Sequence, residues 1–229
     1  MFSRVSLLIG EENLKLLRSK RVALFGVGGV GGYCAEALCR SGVGHITVFD
    51  GDTVDKSNLN RQIIATTENI GKDKVEVVKE RLKAINPDID VKGEKIFYLP
   101  ENADSVDLTR FDYCVDAVDT ITAKLEIISR CNSLGVPVIS SMGTGGKTEI
   151  EKLKVADISE TSVCPLARVM RKELKKRGVT KLKVVYSEEE PKKREGREKA
   201  GQPSMIFVPA AAGLMLAREV IFDLIGDKK

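Results

Sequence analysis

The chain has no tryptophan, one histidine and only 5% aromatic residues. Its five cysteines (Cys34, Cys39, Cys114, Cys131 and Cys164) are an odd number, and no two stand in a C-x-x-C pair. A disulfide scaffold is therefore disfavoured, and no structural zinc is expected. The lone histidine, His45, precedes an apolar strand pattern with no sequence neighbour to complete a metal site or a nucleophile–base pair. It is expected to be structural, and His-dependent catalysis is disfavoured. No apolar run approaches the roughly 20 residues of a membrane helix; the longest, 205–217, contains Pro209 and Gly213 and stops at Arg218. Ser3, Arg4, Ser6, Glu11 and Glu12 interrupt any apolar leader pattern near the start, so a cytoplasmic protein with no membrane partner is expected. Excess charge is lacking too: a net +4 is too mild by itself for a nucleic-acid binder, so any polyanion contact must come from local clustering.

What is present suits one large domain or a domain with an appendage: 229 residues, 42% hydrophobic and 31% charged. From 21 to 141, short β-branched runs (22–26, 45–50, 91–98, 111–116, 137–141) alternate with helical patterns (30–40, 72–85, 122–134). This alternation predicts an α/β fold, a Rossmann-like doubly wound and mostly parallel sheet with helices on both faces. Ligands of such sheets sit at the carboxyl ends of the strands. The expected organisation is an N-terminal helical arm over 1–20, a nucleotide-binding core over 21–150 and a C-terminal extension over 151–229. Within the extension, the patterns read as a strand at 152–158, a helix at 163–177, a strand at 182–186 and a closing apolar helix at 209–225. The stretch 188–202, with ten charged residues in fifteen, reads as a mobile surface loop.

Gly26-Val27-Gly28-Gly29-Val30-Gly31 follows a predicted strand, opens a predicted helix and fits G-x-G-x-x-G. Such a turn brings backbone close to a phosphate and aims unpaired N–H groups and the positive end of a helix at it. Asp50 follows at about the spacing of an acid that bonds a ribose hydroxyl. The turn alone does not choose between NAD and ATP. The next segment is more specific: Gly51-Asp52-Thr53-Val54-Asp55-Lys56-Ser57-Asn58-Leu59-Asn60-Arg61-Gln62, then Gly71-Lys72-Asp73-Lys74. Amides, Arg61 and Lys74 supply hydrogen bonds and positive charge for several phosphates, more than a dinucleotide needs. Asp116 and Asp119 end a predicted strand, where carboxylates can hold Mg²⁺ against phosphates; Asp119 is the metal candidate, with a helix N-cap as its alternative, and Asp116 is balanced between metal and structure.

The turn GVGGVG, the acid Asp50, the loop SNLNRQ, the lysine of GKDK and the acid of DAVD, in this order and spacing, resemble the adenylating domain of ubiquitin-activating-enzyme-like proteins. The resemblance implies ATP-dependent activation of a carboxylate as an acyl adenylate. It implies that Gly26, Gly28, Gly29 and Gly31 cradle phosphate and that Asp50 binds ribose. Asn58, Arg61 and Lys74 would hold phosphates, Asp52 and Gln62 would belong to the nucleotide site, and Asp119 would carry magnesium. It further implies a homodimer in which Arg4 reaches the partner's site.

Sulfur-carrier-activating members usually carry two C-x-x-C pairs, absent here, and ubiquitin-type members carry a separate cysteine domain for which there is no room. The stretches FSRVSLLIGEENL, SSMGTGGK, PLARVMRKELKKRG and FVPAAAGLMLAREVI resemble the branch that dehydrates threonylcarbamoyladenosine in tRNA. That branch activates the threonine carboxylate and closes a ring with a ureido atom of the substrate itself, so no enzyme thiol or imidazole is required. Residues 165–183 hold eight basic side chains (Arg168, Arg171, Lys172, Lys175, Lys176, Arg177, Lys181, Lys183) against Glu173, a net +7. With Leu166, Val169, Met170 and Leu174 at helical spacing, one face can be buried and the basic one offered to tRNA phosphates. Cys164 lies where sulfur-carrier relatives place a crossover-loop cysteine. It keeps open the alternative of adenylating the C-terminal glycine of a ubiquitin-like sulfur carrier, and with it a sulfur-trafficking protein as partner.

Overall fold

The computed structural model describes residues 1–192 and 203–226. Two short helices, α1 (Ser3–Ile9) and α2 (Glu11–Ser19), precede β1 (Arg21–Phe25), α3 (Gly31–Arg40), β2 (His45–Phe49), α4 (Lys74–Ile85) and β3 (Asp90–Glu94). After them come β4 (Tyr113–Asp116), α5 (Ile121–Leu134), β5 (Val138–Ser141), β6 (Leu153–Asp157), α6 (Pro165–Lys176), β7 (Lys183–Ser187) and α7 (Phe207–Ile225). Among the described residues the strands form one sheet ordered β3-β2-β1-β4-β5-β7-β6. All neighbours pair parallel except the edge strand β6, which runs antiparallel to β7.

The central strands β1 and β4 are short and apolar because both faces are covered. Val22, Leu24, Ile46, Val48 and Val115 lie on the face under α3 and α7, while Ala23, Phe25, Phe49 and Cys114 pack toward α5. Burial of each large side chain contributes about 1.5–3 kcal/mol. Cys34, Cys39, Cys114 and Cys131 are buried in these two layers, and burial pushes the Cys34 thiol far up and the Cys39 thiol to about 11. His45 opens β2 and its Nδ1 lies 3.0 Å from Asp90 on β3, a structural pairing.

Three details differ from the sequence pattern. The third strand ends at Glu94 rather than running to Tyr98, because the chain turns at Ile96 and Tyr98 packs edge-on against Phe25 at 4.9 Å. The fifth helix starts at Ile121, with Thr120 and not Asp119 in the N-cap position. Of the charged stretch 188–202, residues 193–202 lie outside the described residues. Glu189, read there as part of a surface loop, is instead buried, because it accepts from the Thr148 and Glu149 N–H groups at 2.8 Å each.

The register fixes where a ligand belongs. Phe25 is level with Phe49 on one side and with Asp116 on the other, so Gly26, Asp50 and Ala117 leave the sheet at the same edge. There β1 continues through α3 to β2 on one side while β4 lies on the other, so the edge opens at a topological switch point.

Candidate nucleotide-binding site

Gly26 adopts φ +84°, and a β-carbon on it would lie 2.8 Å from the Ala117 carbonyl oxygen. A β-carbon on Gly31 would collide with the Gly26 carbonyl. These two positions therefore need glycine for the turn to close under the start of α3. The N–H groups of Gly28, Gly29 and Val30 have no acceptor among the described residues, which leaves them for an anion at the helix N-terminus.

Asp50 is held against this turn by accepting from Val27 N at 2.8 Å, while its other oxygen accepts from Asp52 N at 2.9 Å. The Asp52 carboxylate in turn pairs with Lys74 Nζ at 2.7 Å. Lys74 reaches it because the segments around Thr53 and Asp73 form a bridge, so the buried first residue of α4 is delivered beside the loop after β2. A second local device sets the SNLNRQ loop. Asp55 accepts from Ser57 N at 2.7 Å and Asn58 Oδ1 accepts from Asp55 N at 3.1 Å, a reciprocal cap on a short 3-10 turn. The Asn58 carbonyl then accepts from the N–H groups of Arg61 and Gln62. This places Arg61 beside Gly29 and Gln62 beside Gly28, at 3.5 and 3.6 Å from where their β-carbons would be. Gln62 Oε1 is buried with no hydrogen-bond partner among the described residues, an acceptor suited to a ligand's donor.

The two acids of DAVD separate cleanly. Asp116 and Lys124 are both 0% exposed and bond at 3.0 Å, and Ser140 Oγ donates to the same carboxylate at 2.6 Å. Asp116 is thereby committed to structure. Asp119 is exposed, its carboxylate accepts from Thr120 Oγ1 at 3.4 Å, and it lines the main cavity. Among the described residues no cluster of three His, Cys, Asp or Glu gathers round a point. Asp119 alone fits magnesium, an ion that takes one or two carboxylates and completes its shell with water and phosphate oxygens.

The cavity, about 1260 Å³, is lined by Val30, Ser57, Asn60, Arg61 and Asp119 together with residues 141–148. Arg61 is poised there by its Nη1 donating to Ser57 O at 2.7 Å and Asn60 Oδ1 at 3.0 Å. Asp50, Asp52, Asn58, Gln62 and Lys74 are not among the residues that line it. Arg4 is exposed on α1, away from the cavity. Sequence reasoning passed over Lys147, a buried lysine in the cavity wall, although the signal was present: a glycine-rich loop ending in a basic residue directly after a core strand.

The basic run is smaller in the structure than in the sequence. Arg171 Nη1 donates to Ile158 O, Thr161 O and Thr161 Oγ1, Lys183 pairs with Asp223, and Lys176 and Arg177 share Glu173. Arg168, Lys172 and Lys175 remain exposed with no hydrogen bond or ion pair among the described residues, on a helix that buries Ala167, Met170 and Leu174, and Lys181 is exposed beyond its end, where its charge acts on Asp157.

A glycine turn, an acid after β2, an Arg and a Lys delivered by the next segment, and a cavity-facing acid after β4 define an α/β protein with a polyphosphate-type nucleotide site at its switch point. The chain belongs to the ThiF family, whose model matches residues 2–229. Along 99% of its length it is 41% identical to the tRNA threonylcarbamoyladenosine dehydratase of Bacillus subtilis, covering 95% of that protein. It superposes on the crystal structure of the Escherichia coli tRNA N6-threonylcarbamoyladenosine dehydratase in complex with ATP with a TM-score of 0.89, at 31% identity, covering 98% of this chain and 93% of that one. Similarity to a Thermus thermophilus sulfur carrier protein adenylyltransferase is 34% identity over 57% of this chain and 48% of that protein.

Proposed function

We propose that this protein uses ATP to dehydrate threonylcarbamoyladenosine in tRNA. The carrying observation is the single cavity that joins Arg61 and Asp119 to the loop 141–148. At about 1260 Å³ it exceeds the ~300–1,000 Å³ of pockets for one small ligand, giving room for a nucleotide and a second substrate side by side.

In this reading an oxygen of the threonine carboxylate attacks the α-phosphorus of ATP, and pyrophosphate leaves. Asp50 receives the ribose, the free N–H groups of Gly28 to Val30 and the guanidinium of Arg61 take phosphate oxygens, and Lys74 adds charge once it parts from Asp52. Magnesium on Asp119 would neutralise charge developing on the leaving pyrophosphate. A ureido atom of the same nucleoside then bonds to the acyl carbon and AMP departs. Catalysis of this kind is positioning and charge neutralisation, which needs no protein nucleophile. The likeness along nearly the whole chain to dehydratases, against a partial likeness to a sulfur-carrier enzyme, favours this substrate over a carrier protein.

The finer parts of the reading extend it. The exposed face of α6 with Arg168, Lys172 and Lys175, and Lys181 beyond its end, is assigned to tRNA phosphates. Leu7 and Leu8 of α1 are 87% and 82% exposed, an apolar surface suited to a second copy, with Arg4 on the same helix available to the partner's cavity. Among the described residues no helix is long and apolar enough to cross a membrane, and the reaction is assigned to the cytoplasm.

The test compares pyrophosphate release from Mg·ATP with tRNA carrying threonylcarbamoyladenosine and with the same tRNA unmodified, and checks the nucleoside for loss of one water. Release and dehydration only with modified tRNA are expected. Release driven instead by a ubiquitin-like carrier would establish the sulfur-carrier reading.

A further inference from the structure

All eight residues of the loop Ser141-Met142-Gly143-Thr144-Gly145-Gly146-Lys147-Thr148 line the cavity, and the phosphate roles proposed above fall on other residues. Its one ionisable side chain, Lys147, is 3% exposed, and among the described residues it faces no carboxylate within ion-pair distance. Nζ donates to Gly143 O at 2.9 Å and to Ser187 O at 3.3 Å. Three other polar groups surround it. Cys164, ahead of α6, packs its Sγ against Gly143. Glu189, after β7, has its oxygens occupied by Thr148 N and Glu149 N. Lys192 donates to Thr148 Oγ1 at 3.1 Å. Burial holds the Lys147 amine below the usual lysine range, and the weaker opposing pull of Cys164 and Glu189 does not reverse this.

A neutral amine has two N–H donors and one lone pair. Two carbonyl acceptors match the two donors and leave the lone pair free, whereas an ammonium would hold a third N–H without an acceptor among the described residues. Ring closure supplies a proton for that lone pair. Whichever ureido atom bonds to the acyl carbon, the carbon–oxygen bond to adenylate breaks, AMP leaves with the electron pair, and one ureido N–H proton must be lost.

We propose that Lys147 is the general base of ring closure, accepting the ureido proton in the cavity that Arg61 and Asp119 also line. The proposal rests on the cyclase reading above. It gives the SSMGTGGK loop a chemical role, in which Lys147 acts in the second half-reaction after the phosphate-side residues have completed the first.

The test uses the full chain with Mg·ATP and modified tRNA, following pyrophosphate and dehydrated nucleoside separately between pH 6 and 9. Lys147→Gln keeps two N–H donors for Gly143 and Ser187 but removes the base. Nucleoside closed per pyrophosphate released in the first turnover should fall by about 10²-fold or more, as expected for loss of a general base, with unclosed acyl adenylate building up. In the unsubstituted protein closure should rise with pH as Lys147 loses its proton, and the variant should lack that rise. Cys164→Ser should close the ring within about threefold of the parent. The proposal is overturned if Lys147→Gln closes the ring as the parent does, if adenylation and closure fall together in a variant that remains folded by circular dichroism, or if Cys164→Ser reproduces the defect. Absence of pyrophosphate release by the parent protein with modified tRNA would overturn the cyclase reading itself.

Discussion

Lys124→Met should be among the most damaging single substitutions outside the cavity. Its ammonium is 0% exposed and bonds an equally buried Asp116 carboxylate at 3.0 Å, with Ser140 Oγ at 2.6 Å and Val118 N at 3.3 Å completing the acceptor's shell. Methionine fills most of the lysine volume, so packing changes little, but Asp116 keeps a charge with no counter-charge in reach. Breaking one side of such a pair costs about 3–5 kcal/mol. For a domain of this size that lowers the melting temperature by about 6–20 °C. Asp116→Asn should cost a similar amount by orphaning the ammonium. The double variant should be far less damaging than the sum, about 1–3 kcal/mol, because both charges are gone and the single amide oxygen introduced at position 116 still accepts from Ser140, so that only the longer bond from Val118 N is lost. Urea unfolding followed by circular dichroism supplies all three numbers. A cost under about 1 kcal/mol for Lys124→Met, or a double variant equal to the sum of the singles, would refute the view that this pair pins the end of β4 to α5.

Three other outcomes follow from the geometry. Asp119→Asn should slow pyrophosphate release on the order of 10²-fold while ATP binding weakens less, since the lost charge serves the developing pyrophosphate; unchanged turnover would remove Asp119 from the metal role. Gly31→Ala should abolish ATP binding by equilibrium dialysis, because its β-carbon cannot coexist with the Gly26 carbonyl; retained binding would show that the turn relaxes. Burial would raise the Glu189 carboxyl, but the N–H groups of Glu149 and Thr148 and the Thr148 hydroxyl outweigh it and hold it below the usual range. Its native pKa being lower than its unfolded one, the stability it contributes is complete above about pH 4.3 and fades as pH falls through the native value. Glu189→Gln should therefore flatten part of the acid limb of stability in acid titrations followed by fluorescence of the tyrosines, and an unaltered limb would contradict this.

The alternating sheet was readable because a parallel strand buried on both faces must be short and β-branched, as at 22–26 and 111–116. The tail of the third strand was not: Ile96 and Tyr98 continue the apolar pattern, but the partner they satisfy is Phe25 in the layer under α5, and only packing reveals that. The nucleotide turn was legible for the same reason that Gly26 and Gly31 are obligatory. Backbone collisions leave no other residue type at those positions. Asp116 and Asp119 are the same residue type three positions apart, and no local rule separates them. Lys124 and Ser140 arrive from other elements and claim the first. The basic run likewise overstated the free charge, since Thr161 captures Arg171 and Asp223 captures Lys183.

By itself the sequence determined the fold class, the glycine turn, and the acid Asp50 and cations Arg61 and Lys74 proposed for a polyphosphate, because these depend on local backbone geometry and on residue type at fixed spacing. Tertiary structure alone decided which carboxylate is free, which cations remain exposed on α6, and that Lys147 is buried in the wall of the cavity that Arg61 and Asp119 also line. Burial and partner choice are long-range properties. They are set by strands and helices that meet at one sheet edge, from segments as far apart in the chain as Gly26 and Ser187.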